Sequence, residues 1–301
     1  MISDDTEHAC MTAQALIRSA AEPELFGRKL AWSLRLWLLG LPAGIGWATL
    51  RSLFRLWAGF SPDRSGVYSA GNGPAMRSPV LGAAMTDLEK LGSLVRVSTR
   101  LTHTDPRAEG GALIVALAAN QSSSGRVSPG DLLDTTVRLQ PGIAPELVRL
   151  VEAAAESALR GEETIEFARA IGLERGVTGF ILHTVPVALH AWILYPESLP
   201  DSLRATVRCG GDTDTVAAIT GGIVGARPGN LAIPKEWFEK LAEWPRSPEW
   251  IESLGPALAR VLVTGKPERG PSLPAAAVLL RNAFFLGVVL THGFRRLLPP
   301  Y

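Results

Sequence analysis

Cysteine is almost absent: Cys10 and Cys209 are the only two in 301 residues. A disulfide framework is excluded, and a reduced, cytoplasmic protein is the expectation. An excess of one charge sign is missing too. Thirty Lys and Arg oppose 29 Asp and Glu, for a formal net charge of +1. That leaves no broad footprint for nucleic acid, so an anionic ligand has to be held by local groups. The first residues are acidic and lack a basic leader, so no signal peptide is expected. Long alternation of apolar and polar residues is also lacking, which argues against a sheet. Only Val95-Arg96-Val97 and Val127 suggest short strands. No repeat of about 20–50 residues is visible.

One uncharged stretch, 36–50, lies between Arg35 and Arg51. A membrane-spanning helix needs ~20 apolar residues. This run is shorter and interrupted by Gly40, Pro42, Gly44 and Gly46. The expectation is a buried helix–turn–helix corner and no membrane contact.

Apolar residues are plentiful, at 47% against 20% charged, so the chain can build a large core. Helical patterning covers most of it. Helices are expected over 4–20, 25–39, 47–57, 74–91, 106–120, 145–160 and 163–171. Further helices are expected over 177–195, 203–208, 214–224, 235–243, 248–263 and 275–298. Pro186 is expected to kink the apolar run 177–195. Residues 61–74, rich in Gly, Ser, Asp and Pro, read as a loop. No linker divides the chain, so 1–301 is expected to form one all-α domain.

Two acidic clusters stand out. Asp212-Thr213-Asp214-Thr215 follows Gly210-Gly211 and opens a helix of small residues. Ser3-Asp4-Asp5-Thr6 opens an Ala-rich helix near the other end. Carboxylates and hydroxyls are hard oxygen donors that suit Mg²⁺, Mn²⁺ or Ca²⁺ rather than zinc. Acids and hydroxyl residues at a helix start also serve as ordinary caps, and each cluster alone fits that role. Four carboxylates drawn together would repel one another without cations.

The run from Cys209 to Ile219, Cys-Gly-Gly-Asp-Thr-Asp-Thr-Val-Ala-Ala-Ile, resembles the C-terminal metal motif of the ADP-ribosylglycohydrolases. Ser3-Asp4-Asp5-Thr6 is similar to that family's first metal motif, usually Thr-Asp-Asp-Thr. Residues 69–77, Ser-Ala-Gly-Asn-Gly-Pro-Ala-Met-Arg, look like its glycine-rich ADP-ribose loop. Residues 102–108, Thr-His-Thr-Asp-Pro-Arg-Ala, look like its Thr-His motif. The four occur in family order.

The resemblance implies an orthogonal all-α bundle with a dinuclear metal cleft. It assigns Ser3, Asp4, Asp5, Asp212, Asp214 and Thr215 to two Mg²⁺ ions, with Mn²⁺ as an alternative. It assigns Ser69, Ala70, Gly71, Asn72, Gly73 and His103 to ADP-ribose, and Asp5 to positioning the attacking water. Phe180 is a weaker candidate for stacking on adenine. The substrate implied is an ADP-ribosylated protein or an ADP-ribose-linked small molecule. A non-catalytic ADP-ribose binder of the same fold is the alternative.

Members of the family usually carry a segment before the first acidic motif. Nothing corresponds to it ahead of Ser3, so the expectation is either that Met1 is internal to a longer chain or that the domain is a shortened form. Apolar surface beside the cleft and poorly held ligands at 3–5 are expected consequences.

Overall fold

The computed structural model describes residues 2–42, 44–227 and 233–295. Fifteen helices lie among them. The first six are α1 (Asp4–Ile17), α2 (Pro23–Leu39), α3 (Trp47–Trp57), α4 (Gly73–Ala84), α5 (Leu88–Arg100) and α6 (Pro106–Ser123). Next come α7 (Pro129–Leu139), α8 (Pro145–Leu159), α9 (Thr164–Ala170), α10 (Ile181–Leu194) and α11 (Leu199–Val207). The last four are α12 (Thr213–Gly225), α13 (Lys235–Glu239), α14 (Pro248–Thr264) and α15 (Ala275–Arg295). The described residues contain no sheet, only three isolated bridges: Val67 with His103, Gly71 with Phe180 and Val177 with Gly211. The fold is all-α, as the sequence predicts.

Local chemistry sets many of the helix starts. Asp87 accepts hydrogen bonds from the N–H groups of Glu89 and Lys90 to begin α5, and Asp105 accepts from Arg107 N–H to begin α6. Pro106, Pro129, Pro145 and Pro248 stand at first helical positions, where the missing N–H costs nothing.

α6 forms the centre of the bundle. Residues 110–119 on it are buried on every side, against α4, α5, α10 and α12. Small residues let these helices touch backbone to backbone. A Cβ on Gly82 of α4 would lie 1.9 Å from the Ala116 carbonyl oxygen of α6. A Cβ on Gly222 of α12 would lie 2.7 Å from Pro79 of α4. This tight seam brings the N-terminal ends of α4 and α12 together. An open apolar groove of about 430 Å³ runs between α1, α4 and α14.

Several expectations need correction. The helix expected over 74–91 is two helices, because Asp87 caps a new one. Val95-Arg96-Val97 lies inside α5: a strand there has no partner to pair with, whereas a helix buries Leu91, Leu94 and Val95 on one side. Val127 also lies outside any strand. α7 went unseen because only Leu132 and Thr136 of it are buried, too little for a clear apolar stripe. The corner at 36–50 is exposed rather than buried: Leu36 is 61% exposed and Trp47 72%. Residues 296–298 of the last expected helix lie outside the described residues.

Candidate active site

The N-terminal ends of α1, α4 and α12 meet at a cavity of about 380 Å³. Asp4, Asn72, Asp212, Asp214 and His103 all line it. Helix N-termini carry partial positive charge and free N–H groups, so three of them together attract anions.

The α12 end is built by its glycines. Gly210 and Gly211 take φ of +71° and +79°, values that favour glycine. A Cβ on Gly211 would sit 2.0 Å from the Val177 carbonyl oxygen, so no side chain fits there. The turn is stitched by Val177 N–H donating to Gly210 O at 3.0 Å and Asp212 N–H donating to Val177 O at 2.8 Å. Asp212 is thereby set at the N-cap position of α12, yet its side chain makes no capping bond. Its carboxylate accepts instead from Asn72 Nδ2 at 2.8 Å, across the seam to α4. Asn72 Nδ2 also approaches Thr184 Oγ1 at 3.1 Å, and Asn72 N–H donates to Gly179 O at 2.9 Å.

At α1, Ser3 occupies the N-cap position, and it too makes no capping bond. Its hydroxyl donates to Asp5 Oδ2 at 2.7 Å. Asp5 Oδ1 is buried with no hydrogen-bond partner. The capping role that each cluster fits in sequence is therefore not the role either side chain takes.

Electrostatics separate these acids from ordinary surface carboxylates. Burial first, then the neighbouring Asp5, pushes Asp4 up to about 7. Burial also raises Asp5 and Asp212, with Asp214 adding repulsion to both. Among the described residues, none of Asp4, Asp5, Asp212 and Asp214 has an ion-pair partner. Buried Glu7, one helical turn away, is by contrast paired with Arg246 at 2.6 Å and Arg281 at 3.5 Å. As the side chains stand, no three Asp, Glu, His or Cys groups among the described residues converge closely enough to hold a metal.

Across the cavity the loop before α4 presents Ser69, Gly71, Asn72 and Gly73. Ala70 does not line the cavity; its carbonyl accepts from Ile181 N–H at 2.9 Å and ties the loop to α10. His103 packs under the loop, so close that a Cβ on Gly71 would meet its Nε2 at 3.0 Å. Its Nδ1 lies 2.9 Å from the Thr102 hydroxyl, which accepts from Arg77 Nη2 at 2.8 Å. The Thr102 hydroxyl also donates to Thr99 O at 3.5 Å. Burial, then Arg77, pushes His103 down to about 3, so the ring is neutral. His103 is thus a neutral ring facing the glycine loop.

The structure brings Asp4, Asp212, Asp214, Thr215 and the loop residues to one cavity, and separates Asp5 from it. Asp5 is 1% exposed and is absent from the cavity wall. Ser3 supports Asp5 and does not line the cavity. The expectation of a poorly held first cluster is also corrected. Ile2 N–H donates to Glu243 at 2.8 Å, and Arg281 donates to Ile2 O at 2.8 Å, so residues far along the chain clamp the start of α1. Phe180 does not line the cavity; the Arg107 guanidinium sits 5.5 Å from its ring centre. Sequence reasoning overlooked Trp47 and Thr49 in the cavity wall, which carry no local signal. It also overlooked the role of buried Arg77, whose lack of any carboxylate neighbour shows only in three dimensions.

Comparison with known proteins supports the same grouping. ADP-ribosylhydrolase ARH3 of Gallus gallus is 26% identical over 225 residues, covering 65% of this chain and 60% of that protein. This chain thus spans less than two thirds of that relative's length. The ADP-ribosyl-[dinitrogen reductase] glycohydrolase of Rhodospirillum rubrum is 26% identical over 242 residues, covering 80% of this chain and 73% of that protein. A solved structure described as an ADP-ribosylglycohydrolase-related protein complex superposes with a TM-score of 0.63 at 27% identity, over 87% of this chain and 82% of that one. The family profile described as ADP-ribosylglycohydrolase matches residues 1–269, a span that holds both acidic clusters, the glycine loop and His103, and so the chain belongs to the ADP-ribosylglycohydrolase family.

Proposed function

We propose that this protein hydrolyses the glycosidic bond between ADP-ribose and a modified acceptor, and that it needs two divalent cations, Mg²⁺ by preference, to do so. The observation that carries this reading is three unpaired carboxylates, Asp4, Asp212 and Asp214, lining one cavity, with the unpaired carboxylate of Asp5 buried next to Asp4 in the chain. Burying like charges without a counter-cation is costly. Asp5 Oδ1 has no partner, and every donor in the set is a hard oxygen, which fits Mg²⁺ or Mn²⁺. Asp4, Asp5, Asp212 and Asp214 would hold the ions, with the hydroxyls of Ser3 and Thr215 in support. The ions supply orientation of the ribose hydroxyls and polarisation at the bond that breaks.

The chain's own groups do the rest. The N-terminal end of α4 and the Gly71 and Gly73 backbone offer N–H groups to the diphosphate. His103 Nε2 offers a neutral ring nitrogen to the same ligand. Asn72 orients Asp212. Cleavage builds positive character on the ribose, which carboxylates stabilise. Asp4, rather than Asp5, positions the attacking water, because Asp4 lines the cavity and Asp5 is buried out of it.

The test is release of free ADP-ribose from ADP-ribosylated protein. Release that requires Mg²⁺ and stops in Asp212→Ala and Asp214→Ala supports the reading. Turnover that persists in excess EDTA, or in both variants, overturns it.

A further inference from the structure

The strongest feature left unused by the site is a helix turned inside out. Among the described residues α15 is the one helix long and apolar enough to cross a membrane. It buries only Arg281 and Asn282, both polar, and exposes Leu280, Phe284, Leu290 and Phe294. A helix of a water-soluble domain does the reverse. Arg281 is clamped by Glu243 at 2.8 Å, and Asn282 donates to Gly40 O at 2.7 Å. The second bond seats α15 at the C-terminal end of α2, beside the exposed corner at 36–50.

That corner is apolar and exposed as well. On α2 the outer side carries Arg28, Trp32, Leu36 and Leu39 at helical spacing, with Leu36 61% and Leu39 57% exposed. On α3 it carries Trp47, Arg51 and Phe54, with Phe54 60% exposed. Residues 25–62 hold five basic side chains and no acidic one. None of the five forms an ion pair among the described residues: Arg35 donates to Leu56 O, Arg55 to Gly66 O, and Arg28 and Arg51 are exposed.

We infer that this face, α15 together with the α2–α3 corner, docks on an anionic lipid bilayer. Exposed leucine and phenylalanine supply apolar insertion, tryptophans sit at the level of the headgroups, and unpaired basic side chains meet acidic lipid. A second copy of the chain fits less well, since a two-fold contact would set this basic face against itself. Trp47 also lines the cavity, so docking would place the cavity mouth at the lipid surface. The sequence expectation of no membrane contact weighed 36–50 alone.

The test is flotation of the full chain with phosphatidylcholine vesicles, with and without phosphatidylglycerol, beside the double variant Leu36→Glu, Phe284→Glu. Both side chains are exposed, so the fold is kept, and thermal unfolding checks this. The expected result is salt-sensitive binding to the acidic vesicles, quenching of tryptophan fluorescence by brominated lipid, and at least ~10-fold weaker partition of the variant. Absence of wild-type binding to either vesicle overturns the inference. So does equal binding by the variant, or a solution dimer that the same substitutions dissolve, which assigns the face to a second copy.

Discussion

The two acidic clusters read almost alike, yet the fold holds them in different ways. Asp212 is fixed from outside its own helix, by a glycine turn docked on Val177 and by Asn72 of α4. Asp5 accepts from Ser3 within its own turn and keeps one oxygen without a partner. The difference separates two tasks. The α12 half is a preformed wall whose geometry depends on long-range contacts. The α1 half holds carboxylates with no ion-pair partner among the described residues, a charge that the proposed cations would compensate.

The largest expected effect is on chemistry. Asp214→Ala, in the preformed wall, should lower ADP-ribose release by at least ~10³-fold, because several kcal/mol of charge stabilisation is lost. Asp5→Asn, out of the cavity wall, should leave measurable turnover while raising the stability of the metal-free protein, since it removes a buried charge. Equal loss of activity in both would erase the contrast.

Backbone comes next. Gly211→Ala places a Cβ 2.0 Å from Val177 O at a φ of +79° and should cost ~2–4 kcal/mol in chemical denaturation. Ser3→Ala removes one hydrogen bond and should cost about 1 kcal/mol. Orientation follows: Asn72→Ala frees Asp212 and should weaken Mg²⁺ binding ~10–100-fold by calorimetry with little change in stability.

The smallest effect is a pH dependence. Asp4 is raised to about 7 from 3.8, so between those values the folded protein binds more protons than the unfolded chain. Metal-free stability from this group is therefore present at low pH and is lost as pH rises through about 7. A cation displaces that proton, so the rise in Tm given by Mg²⁺ should grow from pH 4 towards pH 7. Buried neutral His103, pushed down to about 3, acts in the opposite sense below its unfolded value, but it affects both samples and cancels in the difference. A Mg²⁺ shift that stays flat with pH argues against cations compensating the charge of the α1 half.

Much of the fold was legible because helices announce themselves locally. Asp105-Pro106 and Ser247-Pro248 mark starts through capping and ring geometry, and α3 is bounded as the sequence predicts. The divided helix at 74–91 and the unnoticed α7 were not, because their boundaries rest on caps and shallow burial rather than on strong periodicity. At the site, the residue types of both clusters and of the glycine loop carried the signal. That Asp4 rather than Asp5 lines the cavity was invisible, because neighbouring helical positions differ by ~100° and sequence does not say which of them meets the cavity.

By itself, then, the sequence determined the all-helical class, the turn at Gly210-Gly211, and the inventory of hard oxygen donors. These follow from backbone sterics and side-chain chemistry, which are local. Only the tertiary structure decided that Asn72 rather than a helix end partners Asp212, that Glu243 and Arg281 clamp the first cluster in place, and that the corner at 36–50 faces outward. Each of these depends on which surfaces of distant helices meet. Small residues such as Gly82 and Gly222 permit that approach without naming the partner.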